Sequence, residues 1–269
     1  MPQKKPKLGQ NFLTSPSARQ HIVEALGDIS ASTVLEIGPG RGALTDLLAT
    51  RARRLVAVEL DRTLAPRLAA TWAHAQHVRI LQADILELDL ATVLENPEER
   101  WVVVGNLPYY ITSDILLHLF AQAAVISRAV VMVQDEVADR LAAPCGIRDY
   151  GVLSATAQMH ARVEKLFTLP PEAFTPPPGV NSAVVRLDMR PRFEELQVKR
   201  KAFLYFLQLC FRQKRKTLAN NFKAAEIGDA LLLSAAFKAA DVDPGIRAEA
   251  VPLESMARLY RELRTAPPS

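Results

Sequence analysis

A chain of 269 residues with 49% hydrophobic side chains can bury one sizeable core, as one large domain or a large domain with a small one. No apolar run is long enough to span a bilayer, since the longest, residues 116–133, is interrupted by His118, Gln122 and Arg128. The net charge of +4 is uneven: through residue 190 there are 19 Lys and Arg against 20 Asp and Glu (−1), and from residue 191 there are 14 against 9 (+5). A C-terminal excess of this kind is either a solvated face or a polyanion-binding appendage on a near-neutral domain.

The opening stretch MPQKKPKLGQ is basic with no apolar segment behind it, so it does not read as a secretory signal. Cys145 and Cys210 form no CxxC pair and are expected to be inert packing thiols in a reducing compartment. A soluble cytoplasmic protein is expected.

Residues 16–27 space Ile22, Val23 and Leu26 along one helical face. Strands are then predicted at 33–37, 55–59, 78–82, 101–104 and 129–133, alternating with helices at 44–50, 64–72, 113–121 and 136–141. This order predicts an α/β fold with a mostly parallel sheet covered on both faces. Residues 143–150 read as a loop, 170–178 as a stiff proline-rich connection and 183–189 as a last strand. Beyond RPRFEE, Phe203, Phe206, Leu207, Cys210 and Phe211 recur at helical spacing. The expected division is a Rossmann-like domain with an N-terminal arm over 1–190 and a helical domain over 191–269.

The segment Val34-Leu-Glu-Ile-Gly-Pro-Gly-Arg-Gly-Ala43 is a strand entering a glycine turn and a helix, where a ligand can lie against backbone. Gly38, Gly40 and Ala43 also satisfy the nicotinamide-type pattern, and a plain tight turn would look the same. Glu59 ends the next strand, 21 residues after Gly38, where a carboxylate can accept from both hydroxyls of a ribose. Asp84 follows the third strand and can accept from an adenine amine or cap the following turn. Three such residues on successive strand ends point to a nucleoside cofactor.

Asn106-Leu-Pro-Tyr109 follows the fourth strand. An exocyclic adenine amine is a weak nucleophile because its lone pair is delocalised into the ring. Two acceptors, the Asn106 side-chain oxygen and the Leu107 carbonyl, can hold it so that the lone pair faces an incoming methyl group. Pro108 stiffens that turn and Tyr109 offers a stacking ring. Such chemistry rests on orientation and electrostatics, without a metal or an acid–base pair. As a bare turn, NLPY would mean nothing; after a nucleoside site it gains weight. Phe174, followed by Thr175 and three prolines, is a second candidate ring for a base drawn out of its stack. The histidines show no metal spacing, and Trp72 and Trp101 read as core.

These motifs resemble the ribosomal RNA adenine N6-dimethyltransferases, most closely the bacterial small-subunit (16S) type linked to kasugamycin sensitivity. The resemblance runs through GQNFL (9–13), EIGPG (36–40), VELD (58–61), NLPY (106–109), YGVLS (150–154), the block from Ala173 to Leu187, and RKTL (215–218). It implies S-adenosylmethionine as cofactor, with Asn11 and Leu13 in an arm closing over it. Gly38 would lie against it, Glu59 hold its ribose, Asp84 its adenine, and Asn106 stand where cofactor meets target. It places Tyr109 and Phe174 beside the target base, and implies a seven-stranded sheet with a small helical C-terminal domain. Its substrate would be two adjacent adenines in a hairpin loop near the 3′ end of small-subunit ribosomal RNA, in a 30S assembly intermediate. Apart from the resemblance, a monomer is expected. Arg212, Lys214, Arg215 and Lys216 would contact phosphates, recognising backbone and shape more than bases. Arg41 and Gly42 stand at variable positions, and Tyr110 stands where Asn is frequent; neither removes a role.

Three other readings compete. A large-subunit adenine methyltransferase would share the cofactor motifs, but the AFTPPP block and RKTL favour the small-subunit type. A non-catalytic assembly factor would not need intact Glu59, Asp84 and Asn106. A nicotinamide dehydrogenase would leave NLPY without a role.

Overall fold

The computed structural model describes residues 11–263; the basic stretch 1–10, including Gly9 and Gln10 of the GQNFL motif, and residues 264–269 lie outside the described residues. The chain divides into two compact units, Met1–Ala138 with Arg162–Met189, and Asp139–Ala161 with Arg190–Ser269.

The strands are β1 (Phe12–Leu13), β2 (Thr33–Ile37), β3 (Arg54–Glu59), β4 (Val78–Gln82), β5 (Trp101–Asn106), β6 (Ile126–Gln134), β7 (Ala161–Leu169), β8 (Phe174–Thr175) and β9 (Ser182–Met189). The helices are α1 (Pro16–Ala25), α2 (Thr45–Ala49), α3 (Leu64–Thr71), α4 (Leu90–Val93), α5 (Thr112–Ala121), α6 (Asp135–Ala142), α7 (Val152–His160), α8 (Arg200–Cys210), α9 (Leu218–Ala224), α10 (Ala230–Ala240) and α11 (Leu253–Leu263).

Seven strands form one sheet in the order β4-β3-β2-β5-β6-β9-β7. Strands β4, β3, β2, β5 and β6 run parallel, and β9 is antiparallel to β6. Strand β2 is buried along its whole length, Thr33 and Glu36 included, and β5 through Gly105, as central parallel strands are when helices cover both faces. Strand β4, at one margin, has only half-buried and exposed positions.

Register brings the strand ends level: Ile37 lies opposite both Val58 and Gly105, and Glu59 lies opposite Gln82. Chain order runs from β2 to β3 and β4 on one side, then crosses to β5 on the other. The crevice at the carboxyl ends of β2 and β5 is therefore the switch point where open α/β sheets bind ligands.

Helix α1 starts cleanly because Ser15 accepts from the Ala18 amide at 3.3 Å and Pro16 takes the first helical position. Its face of Ala18, Ile22 and Val23 is buried with Leu44, Leu48 and Val104 in the core of the first unit. Trp101 is fully buried, and its indole N–H donates to the Leu90 carbonyl at 3.0 Å.

In the second unit, α8 to α11 surround an aromatic centre. Phe203 meets Tyr260 edge-on at 5.4 Å, and Phe222 lies 5.5 Å from Phe206 and 5.7 Å from Phe237. This unit holds more than the stretch 191–269 expected from sequence. Residues 139–161 belong to it because Tyr150, Ala155 and Met159 are buried in the same cluster as Phe203 and Phe206. Cys210 is buried as expected, whereas Cys145 is exposed, a correction to its reading as a packing thiol. Among the described residues, no helix is long and apolar enough to cross a membrane.

Further elements go beyond the sequence reading. The stretch 152–169 forms α7 and β7, and the short strands β1 and β8 pair antiparallel as a separate ribbon, Phe12 opposite Thr175 and Leu13 opposite Phe174.

Candidate active site at the carboxyl edge of the sheet

One cavity of about 330 Å³ opens at the switch point, and Asn11, Leu13, Gly38, Glu59, Asp84 and the whole of Asn106–Tyr109 line it. The turn after β2 is built on left-handed glycines, with φ of 64° at Gly38 and 59° at Gly40. A side chain at either position would be strained, and a Cβ at Gly40 would also press to 3.1 Å on the Phe12 ring.

Glu59 is 5% exposed, yet both carboxylate oxygens are held. Oε2 accepts from the Gly40 amide at 2.9 Å, and Oε1 from the Asp61 amide at 2.8 Å. These bonds fix the carboxylate at the cavity wall while leaving each oxygen a second lone pair. Asp84 caps a single turn, its Oδ1 accepting from the Leu86 amide at 2.9 Å, and the residue also lines the cavity.

Asn106 is the last residue of β5, two positions beyond the end expected for that strand. Its Nδ2 donates to the Asn11 carbonyl at 2.8 Å, which commits the amide nitrogen and leaves Oδ1 as the acceptor end. The Leu107 amide donates to the Met132 carbonyl at 3.1 Å, and its side chain is buried, so this backbone is pinned against β6. The Pro108 carbonyl accepts from the Thr112 hydroxyl at 2.9 Å. Tyr109 is half-buried, and its hydroxyl is 2.6 Å from that of the buried Ser182. That bond holds the ring, and nothing in the motif pointed to Ser182.

Phe174 is a correction. Its ring is 2% exposed and buried with Leu13, Leu169 and Ala173, not at the cavity wall. The side chain expected to stack on a base anchors β1 instead.

Glu36, quoted in the EIGPG motif without a role, also lines the cavity. It is 2% exposed and accepts from the Thr45 hydroxyl at 2.7 Å. Burial, with Asp46 and Glu59 nearby adding to it, pushes its carboxyl up to about 8, against the opposing Thr45 bond. An unfolded chain loses this proton near pH 4.5, while the folded one keeps it to about pH 8. Stability without cofactor should therefore fall as pH rises through that window, by about 1.4 kcal/mol per unit at most, and level off above it. Glu36→Gln keeps an acceptor for Thr45 but cannot ionise, so its urea midpoint should lose this slope between pH 5 and 8. Parallel curves for the two proteins would assign the slope to other groups.

Comparison with known proteins adds a decisive finding. The family model described as ribosomal RNA adenine dimethylase matches residues 1–265. This chain belongs to that family. A relative named ribosomal RNA small subunit methyltransferase A from Acidobacterium capsulatum is 58% identical over 259 residues, covering 96% of this chain and 91% of the relative. One of the same name from Koribacter versatilis is 54% identical over 274 residues, covering 98% and 95%. Among solved structures, the 23S rRNA methyltransferase ErmE is similar with a TM-score of 0.71 at 28% identity, covering 95% of this chain and all of that one.

In this member of the dimethylase family, the basic segment lies in the second unit. Arg212, Lys214, Arg215 and Lys216 are all exposed and form a loop between α8 and α9 within a unit expected to be helical. The cause is Asn221, which is 1% exposed. Its Oδ1 accepts from the Gln213 amide at 2.8 Å, and its Nδ2 lies within 3.4 Å of the carbonyls of Gln213, Lys216 and Thr217. A buried amide that accepts from one backbone N–H and shares its two N–H donors among these carbonyls competes directly with helical bonding across the segment. Among the described residues, no group of His, Cys, Asp or Glu is arranged to hold a metal.

Proposed function

We propose that this chain dimethylates the N6 amines of two adjacent adenines in a hairpin loop near the 3′ end of small-subunit ribosomal RNA, in a 30S assembly intermediate. It is a methyltransferase of ribosomal RNA and uses S-adenosylmethionine. We read it as a monomeric cytoplasmic enzyme. One observation carries the reading: Glu59, Asp84 and NLPY, each at the end of a different strand, line a single cavity at the switch point of the sheet. Identity of 58% and 54% to small-subunit methyltransferases, against 28% to a 23S enzyme, supports the small-subunit target.

When bound, S-adenosylmethionine supplies an electrophilic methyl group on a sulfonium. The remaining work falls to the chain. Glu59 accepts from the ribose hydroxyls with its spare lone pairs, and Asp84 accepts from the cofactor adenine. Gly38 gives a surface without a side chain, and Asn11 and Leu13 cover the cofactor and exclude water. Asn106 Oδ1 and the Leu107 carbonyl accept from the target amine and turn its lone pair toward the methyl group. Pro108 fixes the turn, and the tethered Tyr109 ring stacks on the base. Orientation and preorganised dipoles account for the rate.

The experiment offers methyl-labelled S-adenosylmethionine to undermethylated small subunits, large subunits and naked RNA, then digests the RNA. Dimethyladenosine from small subunits is the expected product. Label from large subunits alone would overturn the target, and tight small-subunit binding without transfer would make the protein an assembly factor.

In the second unit, Arg212, Lys214, Arg215 and Lys216 bind RNA phosphates. Removing their charges should weaken subunit binding and flatten its salt dependence, by about 0.7–0.9 in slope for each phosphate no longer neutralised. Cofactor affinity should not change. An unaltered slope in a salt titration would make the loop a solvated surface.

A further inference from the structure

Asn11 and strand β1, which follows it, meet the cavity wall at two places. At one the Phe12 ring lies on Gly40, whose amide holds Glu59, and beneath the Arg41 guanidinium at 4.4 Å from the ring centroid. At the other the Asn11 carbonyl accepts from Asn106 Nδ2 at 2.8 Å. We propose that β1 is a positioning element for the chemistry: the Asn11 carbonyl, held in place by Phe12 and Arg41, sets which end of the Asn106 amide faces the target amine. The inference rests on the reading of Asn106 as an acceptor for that amine.

An asparagine amide has nearly the same shape when turned by 180°, so packing alone cannot choose between its two orientations. Hydrogen bonding can, because one end donates and the other only accepts. A carbonyl oxygen accepts and cannot donate, so with β1 in place the Asn106 nitrogen must face it. The turned amide would set two oxygens against each other with no proton between them. Oδ1 is thereby fixed on the remaining side, where a base amine can donate to it.

A backbone carbonyl cannot be substituted, but its support can. Downstream, β1 is tied by bonds that do not involve Phe12: the Leu13 carbonyl accepts from Arg19 Nη2 at 2.9 Å, and the amide and hydroxyl of Thr14 both donate to the Ala173 carbonyl. Leu13 is itself buried. Phe12→Ala therefore loosens the Asn11 end and leaves the rest of the strand anchored. Arg41 is exposed, so Arg41→Ala removes the cation above the ring with no change to the core.

The test is a double-mutant cycle of Phe12→Ala and Asn106→Ala. Single-turnover methyl transfer is measured at saturating S-adenosylmethionine and undermethylated small subunits, so that binding losses drop out. Phe12→Ala should slow transfer about three- to tenfold in the parental background, the size of losing one positioning hydrogen bond. In the Asn106→Ala background it should have no further effect. Phe12→Tyr, which keeps the ring, should restore the parental rate, and Arg41→Ala should give a smaller loss with the same dependence on Asn106. An equal loss in both backgrounds would overturn the proposal, because the strand would then act on the cofactor or the fold and not through the amide. So would a parental rate in Phe12→Ala. If Asn106→Ala alone transfers methyl at the parental rate, the failure lies in the reading of Asn106 itself, and the proposal falls with it.

Discussion

Asn106→Ala should slow single-turnover methyl transfer by about 10²–10³-fold, the usual cost of losing one positioned polar group in a dry site. Binding of small subunits should change little, because phosphate contacts are assigned to the basic loop between α8 and α9. Cofactor affinity should fall modestly, since the variant also gives up the bond to the Asn11 carbonyl. Asn106→Asp is the finer probe. It keeps an acceptor oxygen but sets its other oxygen against that same carbonyl, which the native Nδ2 meets at 2.8 Å. Partial activity is expected, lower than an acceptor alone would give. A parental rate in Asn106→Ala would reduce NLPY to a turn at a strand end and remove the catalytic assignment.

The centre of the sheet was legible because its strands obey a local rule. Strands such as Thr33–Ile37 and Trp101–Asn106 are short, mostly apolar and β-branched runs, as buried parallel strands tend to be. The residues at their ends follow from chain order alone, which is why Glu59, Asp84 and Asn106 could be assigned to one cleft. Strand β7 was missed for a related reason. At the margin of the sheet most of its positions are half-buried or exposed, so Arg162, Glu164 and Lys165 interrupt the pattern without breaking the strand.

Other features depend on partners far away in the sequence. Phe174 reads locally as a ring on a proline-rich loop, but its neighbour in space is Leu13, and that pairing buries it. The segment Arg212–Lys216 is composed of good helix formers, and local propensity favours a helix. Asn221 overrides that preference from within the core of the second unit, which no window over the basic residues reveals. Glu36 was visible only as one letter of a motif. Its importance comes from burial beside Asp46 and Glu59, a property of packing that no local pattern reveals.

Glu59→Ala should lower S-adenosylmethionine affinity at least about tenfold. Each charge-assisted bond to the ribose is worth roughly 1.5–3 kcal/mol before compensation, and ~1.4 kcal/mol is one decade. The geometry adds a second loss. The carboxylate also organises the amides of Gly40 and Asp61, so its removal frees the glycine turn on which the Phe12 ring lies. Glu59→Gln separates the two effects. Its single carbonyl oxygen can hold one of those amides while its NH₂ end repels the other, so affinity should lie between parent and Ala. Calorimetric titration of the folded variants measures this directly, and unchanged affinity in Glu59→Ala would remove the ribose assignment. Kinetics should show the reverse of the Asn106 pattern. At saturating cofactor Glu59→Ala should recover most of the parental single-turnover rate, because its carboxylate binds and does not touch the target amine. A rate that stays low at saturation would place Glu59 in the chemical step and require a different division of labour along the cavity.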